Sequence, residues 1–349
     1  MKKILSIAIT LVLCLGVLTA CGNNNGGSTE KVVNVYNWGE YMDESIFDDF
    51  KTETGITVNY FNFETNEQLY SIMRQGGVNY DVIIPSDYMI SRLISEDMLE
   101  KIDFANVPNV ELIDDGFDNN EYDPTGEYSV PYMWGTVGII YNSAEIDWEI
   151  DSWSALFDPR LTGQILMFDN SRDAMGIALK SLGFSLNTTE RPELDLAFAL
   201  LQSQKPLLQS YVMDQIFDKL ESGEALIGPY YAGDYLTMVE NNPDLRFVVP
   251  KEGTNRFVDA MCIPKGAENK ENAEIFINYV CQADVSLQNS EYIGYTSPVS
   301  EVRDQLELDD EALEIMYPSD DVLERCEFFI NLPAETLELY DEYWIALKS

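Results

Sequence analysis

The sequence predicts an α/β protein of two domains, and three observations carry the prediction. At 349 residues the chain suits roughly two domains of about 150 residues each. Its hydrophobic content of 46% is ordinary for a globular chain that buries a real core. From Val32 onward, short apolar runs alternate with segments whose apolar residues recur at helical spacing. Repeated strand and helix at this spacing implies parallel strands joined by right-handed crossovers.

The first run, Val32-Val33-Asn34-Val35-Tyr36, reads as a buried strand, and Asp43-Glu44-Ser45 reads as a helix start. Between them Tyr36-Asn37-Trp38-Gly39-Glu40-Tyr41-Met42 forms a loop at a strand's carboxyl end, where open α/β sheets bind ligands. Ile46, Phe47 and Phe50 share one face of a helix that ends near Gly55, and residues 56–61 form the next strand. Glu64-Thr65-Asn66-Glu67 caps a helix carrying Leu69, Ile72 and Met73, which Gly76-Gly77 stops. Residues 80–85 read as a strand that ends in the loop Ser86-Asp87-Tyr88.

Residues 103–127 are loop-rich and acidic. The apolar run 128–142 is long enough to pass from one domain to the other, with Gly135 and Gly138 expected to take unusual backbone angles. A second α/β pattern follows: a strand at 164–168, a helix opening at 169–173 and running through Ile177, Leu179 and Leu182, then a strand at 225–229. That last strand delivers Tyr230-Tyr231-Ala232-Gly233-Asp234 to its end, and residues 245–250 close this half. Residues 256–263 form a strand that crosses back, and a helix from 271 to 283 turns Ile275, Phe276 and Tyr279 inward.

Charge narrows the partners. Sixty-one acidic residues against 21 basic ones give a formal −40, with no histidine. Nucleic acid and anionic membrane surfaces are repelled by such a chain, and cationic small molecules are attracted. Acidity alone also serves solubility in exported proteins. The N-terminus fits export: Lys2-Lys3 and the apolar run 4–18 make a signal peptide over residues 1–20, too short to span a bilayer as a mature helix. Leu18-Thr19-Ala20-Cys21 matches a bacterial lipobox, so Cys21 is the expected lipidation site, and residues 21–31 form a polar, glycine-rich tether. Cys262, Cys281 and Cys326 then remain, without C-x-x-C spacing or histidine for zinc. They read as buried free thiols, with a disulfide possible in an oxidising compartment.

The strand-end positions collect one chemistry: Trp38, Glu40, Tyr41, Ser86, Tyr88, Asp173, Tyr231, Phe257, Asp259 and Tyr295 are mostly aromatics and acids, with Arg172 the nearby exception. Singly, each is more readily a core aromatic or a solvated acid. Together they suit an organic cation, because carboxylates neutralise ammonium groups while ring faces cover methylenes and add about 0.5 to 2 kcal/mol through cation–π contact. Carboxylates at opposite ends of such a slot would measure the spacing between amines. The enzymatic alternative is an acidic secreted hydrolase using Glu40 with Asp259 or Asp173 as a carboxylate pair. A Ser-His-Asp triad is excluded by the absence of histidine, and no G-x-S-x-G, H-E-x-x-H or phosphate loop occurs. The acidic run 307–311 lacks the ligand spacing of a calcium loop, so no metal and no cofactor is expected.

Five motifs carry a resemblance: Tyr36-Asn37-Trp38-Gly39-Glu40-Tyr41, Tyr80-Asp81-Val82-Ile83-Ile84-Pro85-Ser86, Ser129-Val130-Pro131-Tyr132-Met133-Trp134-Gly135, Val249-Pro250-Lys251-Glu252-Gly253 and Ile293-Gly294-Tyr295-Thr296-Ser297-Pro298. From about residue 32 to the C-terminus the chain resembles the spermidine/putrescine-binding proteins of bacterial polyamine ABC importers. The resemblance implies a two-lobed, type II periplasmic-binding-protein-like α/β fold, each lobe a mixed sheet flanked by helices, with the polyamine in the cleft between lobes. It implies one lobe of residues 32–136 plus 258–300, another of 137–257 plus 301–349, a membrane permease as partner, a monomeric chain outside the cytoplasm and no enzymatic activity. Trp38, Tyr41, Tyr231, Phe257 and Tyr295 would box the aliphatic chain, Glu40, Asp173 and Asp259 would bind amines, and Ser86 and Tyr88 would line one wall. Gly39, Asn170 and Glu327 are further candidates. Several positions depart from the family pattern: Asn170 stands where an acid is frequent, Asp173 is shorter than the usual glutamate, Tyr231 and Phe257 replace tryptophans, and Glu327 takes a glutamine position. The choice between putrescine and spermidine therefore stays open, as does a different small cation or anion.

Overall fold

The computed structural model describes residues 31–39, 41–77, 79–117 and 120–349. The expected signal peptide, the lipobox with Cys21, the tether up to residue 30, and Glu40 lie outside the described residues.

The alternation is present. It runs β1 (Lys31–Trp38), α1 (Ile46–Thr54), β2 (Ile56–Phe63), α2 (Asn66–Gln75), β3 (Val82–Ile83), α3 (Asp87–Ser95) and β4 (Leu99–Glu100) to the long β5 (Ser129–Asn142). Then come β6 (Ile165–Phe168), α4 (Ser171–Ser181), α5 (Arg191–Gln204), β7 (Leu208–Val212), α6 (Gln215–Glu221), β8 (Ile227–Tyr231), α7 (Ala232–Asn241), β9 (Leu245–Val248) and β10 (Arg256–Pro264). The helices α8 (Lys270–Val280), α9 (Ala283–Ile293), α10 (Asp310–Met316), α11 (Asp320–Leu323) and α12 (Ala334–Lys348) complete the chain. Local signals explain the clearest boundaries. Gly55 closes α1 at φ 74°, in the left-handed region that favours glycine, and the Thr65 side chain caps α2 by accepting from Gln68 N–H.

The strands form one sheet path in the order β2-β1-β3-β10-β5-β8-β6-β7, with β4 on β10 and β9 on β5. Parallel pairing, as expected from the alternation, holds for β1 with β3 and for β6 with β7 and β8. β5 and β10 run antiparallel to their neighbours, so the sheet is mixed. The first half of β5 pairs with β10 over Ser129 to Thr136, and its second half pairs with β8 and β9 from Val137 on. One hydrophobic core gathers around β6, α4 and α12, from Val137 to Leu347. Two adjoining clusters surround β1, β3 and β10, from Val33 to Tyr295 and from Tyr36 to Cys262. Residues Tyr317, Leu323 and Phe328 pack on the cluster that runs from Tyr36 to Cys262, whereas Tyr340, Tyr343 and Leu347 join the first core.

Several expectations are corrected. The strand expected at 80–85 is only Val82–Ile83, although the Asp81 N–H still donates to the Asn34 carbonyl and the Ile84 N–H to the Tyr36 carbonyl on either side of it; the buried Asp81 carboxylate is tied to Asn34 and Asn269. Ser86-Asp87-Tyr88 is not a loop: Ser86 precedes α3 and Asp87 begins it. The helix expected to reach 283 stops at Val280, and α9 starts separately at Ala283. Neither Gly135 nor Gly138 has a positive φ. Both are required for space: a Cβ at Gly135 would sit 2.8 Å from Phe257 Cζ, and one at Gly138 would sit 2.3 Å from Phe247 Cζ. Cys262, Cys281 and Cys326 carry free thiols, the first two buried. Among the described residues no helix is long and apolar enough to cross a membrane, and no group of three acidic or cysteine side chains is placed to hold a metal.

Candidate ligand-binding site

The site grows from a backbone irregularity in β10. Asp259 pairs opposite Met133, but the next residue, Ala260, pairs opposite Pro131, so the register slips by one. Pro131 has no N–H to offer the ladder, and a bulge re-aims the side chain beside it. The displaced Asp259 bridges to Ser86 across the end of β3. There its Oδ1 accepts from Ser86 Oγ at 2.6 Å and its Oδ2 accepts from the Tyr41 hydroxyl at 2.8 Å. Burial pushes the Asp259 carboxyl up to about 6, although both hydrogen bonds pull it down. No cation neutralises it: among the described residues no lysine or arginine lies within ion-pair distance of Asp259.

A row of rings runs from this carboxylate. Tyr41 meets Tyr295 edge-on at 5.4 Å between centroids, Tyr295 lies 5.9 Å from Phe257, and Phe257 meets Tyr231 edge-on at 5.4 Å. Gly135 makes room for the Phe257 ring. At the far end the Tyr231 hydroxyl donates to Asp173 Oδ2 over a long 3.5 Å. Asp173 is held in place by Asn170, the N-cap of α4, whose Oδ1 accepts from Asp173 N–H at 2.9 Å and whose Nδ2 donates to Asp173 Oδ2 at 2.5 Å. Burial raises the Asp173 carboxyl to about 6, against the hydrogen bonds from Asn170 and Tyr231 and the Arg172 charge. Arg172 itself faces elsewhere, stacking 4.5 Å over Phe329 and donating to Asn187 and the Ile330 carbonyl.

The sequence-selected residues thus divide. Tyr41, Ser86, Asp259, Tyr295, Phe257, Tyr231, Asp173 and Asn170 form one connected set. Tyr88 joins through Asn66, which accepts from Ser86 N–H at 3.2 Å and donates to the Tyr88 hydroxyl at 3.1 Å. Trp38 stands beside the set, stacked at a tilt on Phe63 at 4.5 Å, with its indole N–H buried and, among the described residues, without a hydrogen-bond acceptor. Gly39 is exposed, with open space where a Cβ would go. Glu327 is occupied: its carboxylate pairs with Lys180 at 2.9 Å and accepts from Ser185 and from Leu186 N–H. Sequence reasoning left out Asn66 and Asp234. Asp234 Oδ2 accepts from the Tyr295 hydroxyl at 2.7 Å. The signal that could have found it was present, since Asp234 ends the same strand-end motif that supplied Tyr231.

This arrangement can hold an elongated organic cation, with buried carboxylates for ammonium groups and rings for the methylenes between them. Residues 45–314 match bacterial extracellular solute-binding proteins, and the chain belongs to that family, whose members bind solutes for transport and are not enzymes. Over 340 residues it is 31% identical to the spermidine/putrescine-binding periplasmic protein of Escherichia coli (strain K12), covering 97% of this chain and 96% of the relative. Spermidine/putrescine-binding periplasmic protein 1 of Haemophilus influenzae is 30% identical over 362 residues, covering 100% of this chain and 99% of the relative. The crystal structure of the spermidine/putrescine ABC transporter substrate-binding protein PotD from Streptococcus pneumoniae superposes with a TM-score of 0.82 at 33% identity, covering 91% of this chain and 98% of that one. That of the Tp0655 (TpPotD) lipoprotein of Treponema pallidum gives 0.80 at 28% identity, covering 91% and 99%. The fold is the mixed α/β architecture of type II periplasmic binding proteins.

Proposed function

We propose that this chain captures a polyamine, putrescine or spermidine, outside the cytoplasm and delivers it to the membrane permease of an ABC importer. One observation carries the reading: Asp173 and Asp259, two buried carboxylates, stand at opposite ends of one connected row of rings, and among the described residues no cation is hydrogen-bonded to either. Ionised carboxylates in such surroundings are costly until an ammonium group pairs with them. The names of the E. coli, H. influenzae and S. pneumoniae relatives support the same solute class.

In this reading β5 and β10 are the crossing strands between a lobe of residues 32–136 plus 258–300 and a lobe of 137–257 plus 301–349, and ligand draws the lobes together. Trp38, Tyr41, Ser86 and Tyr88 form one wall, with Asn170 orienting Asp173 opposite them. Glu327 serves the Lys180 ion pair rather than an amine. The chain acts as a monomer anchored through lipid on Cys21, a reading supported by the lipobox and by the likeness to the Treponema pallidum lipoprotein. Calorimetric titration with putrescine and spermidine, alongside native mass spectrometry of the co-purified ligand, tests the binding; a protein that binds neither refutes it. Radiolabelled fatty acid incorporated by the wild type but not by Cys21→Ala tests the anchor.

A further inference from the structure

We infer that Tyr132 and Asn37 are positioning residues of this site: together they clamp the Tyr41 carbonyl and so aim the Tyr41 hydroxyl at Asp259. Neither belongs to the connected row of rings and carboxylates. The inference rests on the polyamine reading and names what holds one wall of the site in shape before a ligand arrives.

The register slip in the sheet places the first clamp. Met133 pairs opposite Asp259 and Pro131 opposite Ala260, so Tyr132 is the extra residue of β5, with no partner on β10. A bulge re-aims the side chain of such a residue. Tyr132 is buried, its ring meets Tyr41 edge-on at 5.7 Å, and its hydroxyl donates to the Tyr41 carbonyl at 2.8 Å. One bulge therefore serves both ends of Tyr41. It brings Asp259 to the hydroxyl and Tyr132 to the carbonyl.

The second clamp comes from β1. Asn37 is fully buried, and its Nδ2 donates to the same Tyr41 carbonyl at 3.2 Å and to the Tyr60 hydroxyl of β2 at 2.9 Å. Both lone pairs of the Tyr41 carbonyl are thus taken by side chains of other strands, and a buried carbonyl that loses a donor is destabilised. Nearby, Asn62 of β2 donates to the Trp38 carbonyl at 2.8 Å. The segment that carries Trp38 and Tyr41 is fastened by β1, β2 and β5, which leaves little ordering for the ligand to supply.

The clamp acts on the carboxylate through Tyr41. The described groups that face Asp259 are Tyr41, Ser86, Asp87 of α3, Tyr132 of β5 and Tyr231 of β8, none of them cationic. Burial works against its ionised form, and the hydrogen bonds from Ser86 and Tyr41 favour it. A Tyr41 set loose at its carbonyl gives up part of that support. Asp259 then takes a proton at higher pH, and an ammonium group meets a neutral carboxyl.

The test is calorimetry with putrescine and spermidine from pH 5 to pH 8 on the wild type, Tyr132→Phe, Tyr41→Phe and the double variant. Phenylalanine keeps the buried ring and removes only the hydroxyl. In the wild-type background Tyr132→Phe should lower affinity for both ligands about three- to tenfold, the value of one hydrogen bond. It should also move the pH at which affinity falls upward. In the Tyr41→Phe background it should do neither, because the path to Asp259 is already cut. Should Tyr132→Phe melt below the assay temperature, Asn37→Ala, which removes the other donor to the carbonyl, provides the same comparison. An unmoved pH profile, an equal loss in both backgrounds, or no loss overturns the inference, since a tyrosine that only packs would give one of these. A wild type that binds neither polyamine refutes instead the reading on which the inference rests.

Discussion

Asp259→Asn should weaken polyamine binding and, at the same time, stabilise the ligand-free protein. The wild-type carboxylate is only 5% exposed and has two hydroxyl donors but, among the described residues, no cation. Its rise from 3.8 to about 6 corresponds to at most about 3 kcal/mol spent on keeping it ionised in the folded chain at neutral pH. The sign follows from linkage. Because the folded pKa is the higher one, the stability this group contributes is full below about pH 4 and is lost as pH rises to about 6. Removing the charge should therefore raise the melting temperature at pH 7 by up to about 6 °C, at roughly 2 °C per kcal/mol for a chain of this size. The gain should vanish near pH 4. Binding moves the other way: an ammonium group left enclosed without its carboxylate costs about 2 to 5 kcal/mol, or roughly 30- to 4,000-fold in affinity. Calorimetry and thermal melts of ligand-free protein at pH 4 and pH 7 read both effects. Unchanged affinity would remove Asp259 from the site, and a melting temperature that falls at pH 7 would refute the charge-cost argument.

Three further outcomes are expected. Putrescine affinity should be level above about pH 7 and fall as the pH drops through about 6, by up to tenfold per pH unit for each of Asp173 and Asp259; titrations that agree from pH 5 to 7.5 would contradict this. Gly233→Ala should cost about 1–3 kcal/mol through overpacking against Tyr295 and Gly294, read by urea denaturation, and equal stability would contradict the close approach. Lys180→Met should destabilise by about 1–3 kcal/mol, because it leaves the partly buried Glu327 carboxylate without its cation. Its polyamine affinity should change far less than that of Asp259→Asn, and a comparable loss would return Glu327 to the ligand.

Much was legible in the sequence. Strand and helix alternation, the Thr65 cap, the Gly55 stop and the long β5 follow from neighbours within one or two turns of chain, which is the range over which periodicity and capping act. The residue types of the site were legible for the same reason: aromatics and acids collect at strand ends, and eight of those selected form one connected set.

What the chain determined by itself was the kind of chemistry, acids and rings with few bases, since composition and strand-end position are local properties. The tertiary structure alone decided the partners. Tyr41 meets Asp259 across 218 positions, Lys180 claims Glu327 across 147, and Tyr295 finds Asp234 across 61. No local period records such distances. A one-residue register slip opposite Pro131 aims Asp259, and an absent Cβ at Gly233 admits Tyr295. The physical reason is that a side chain's charge and shape are written in the sequence, whereas what it faces depends on how packed strands and helices exclude one another from the same space.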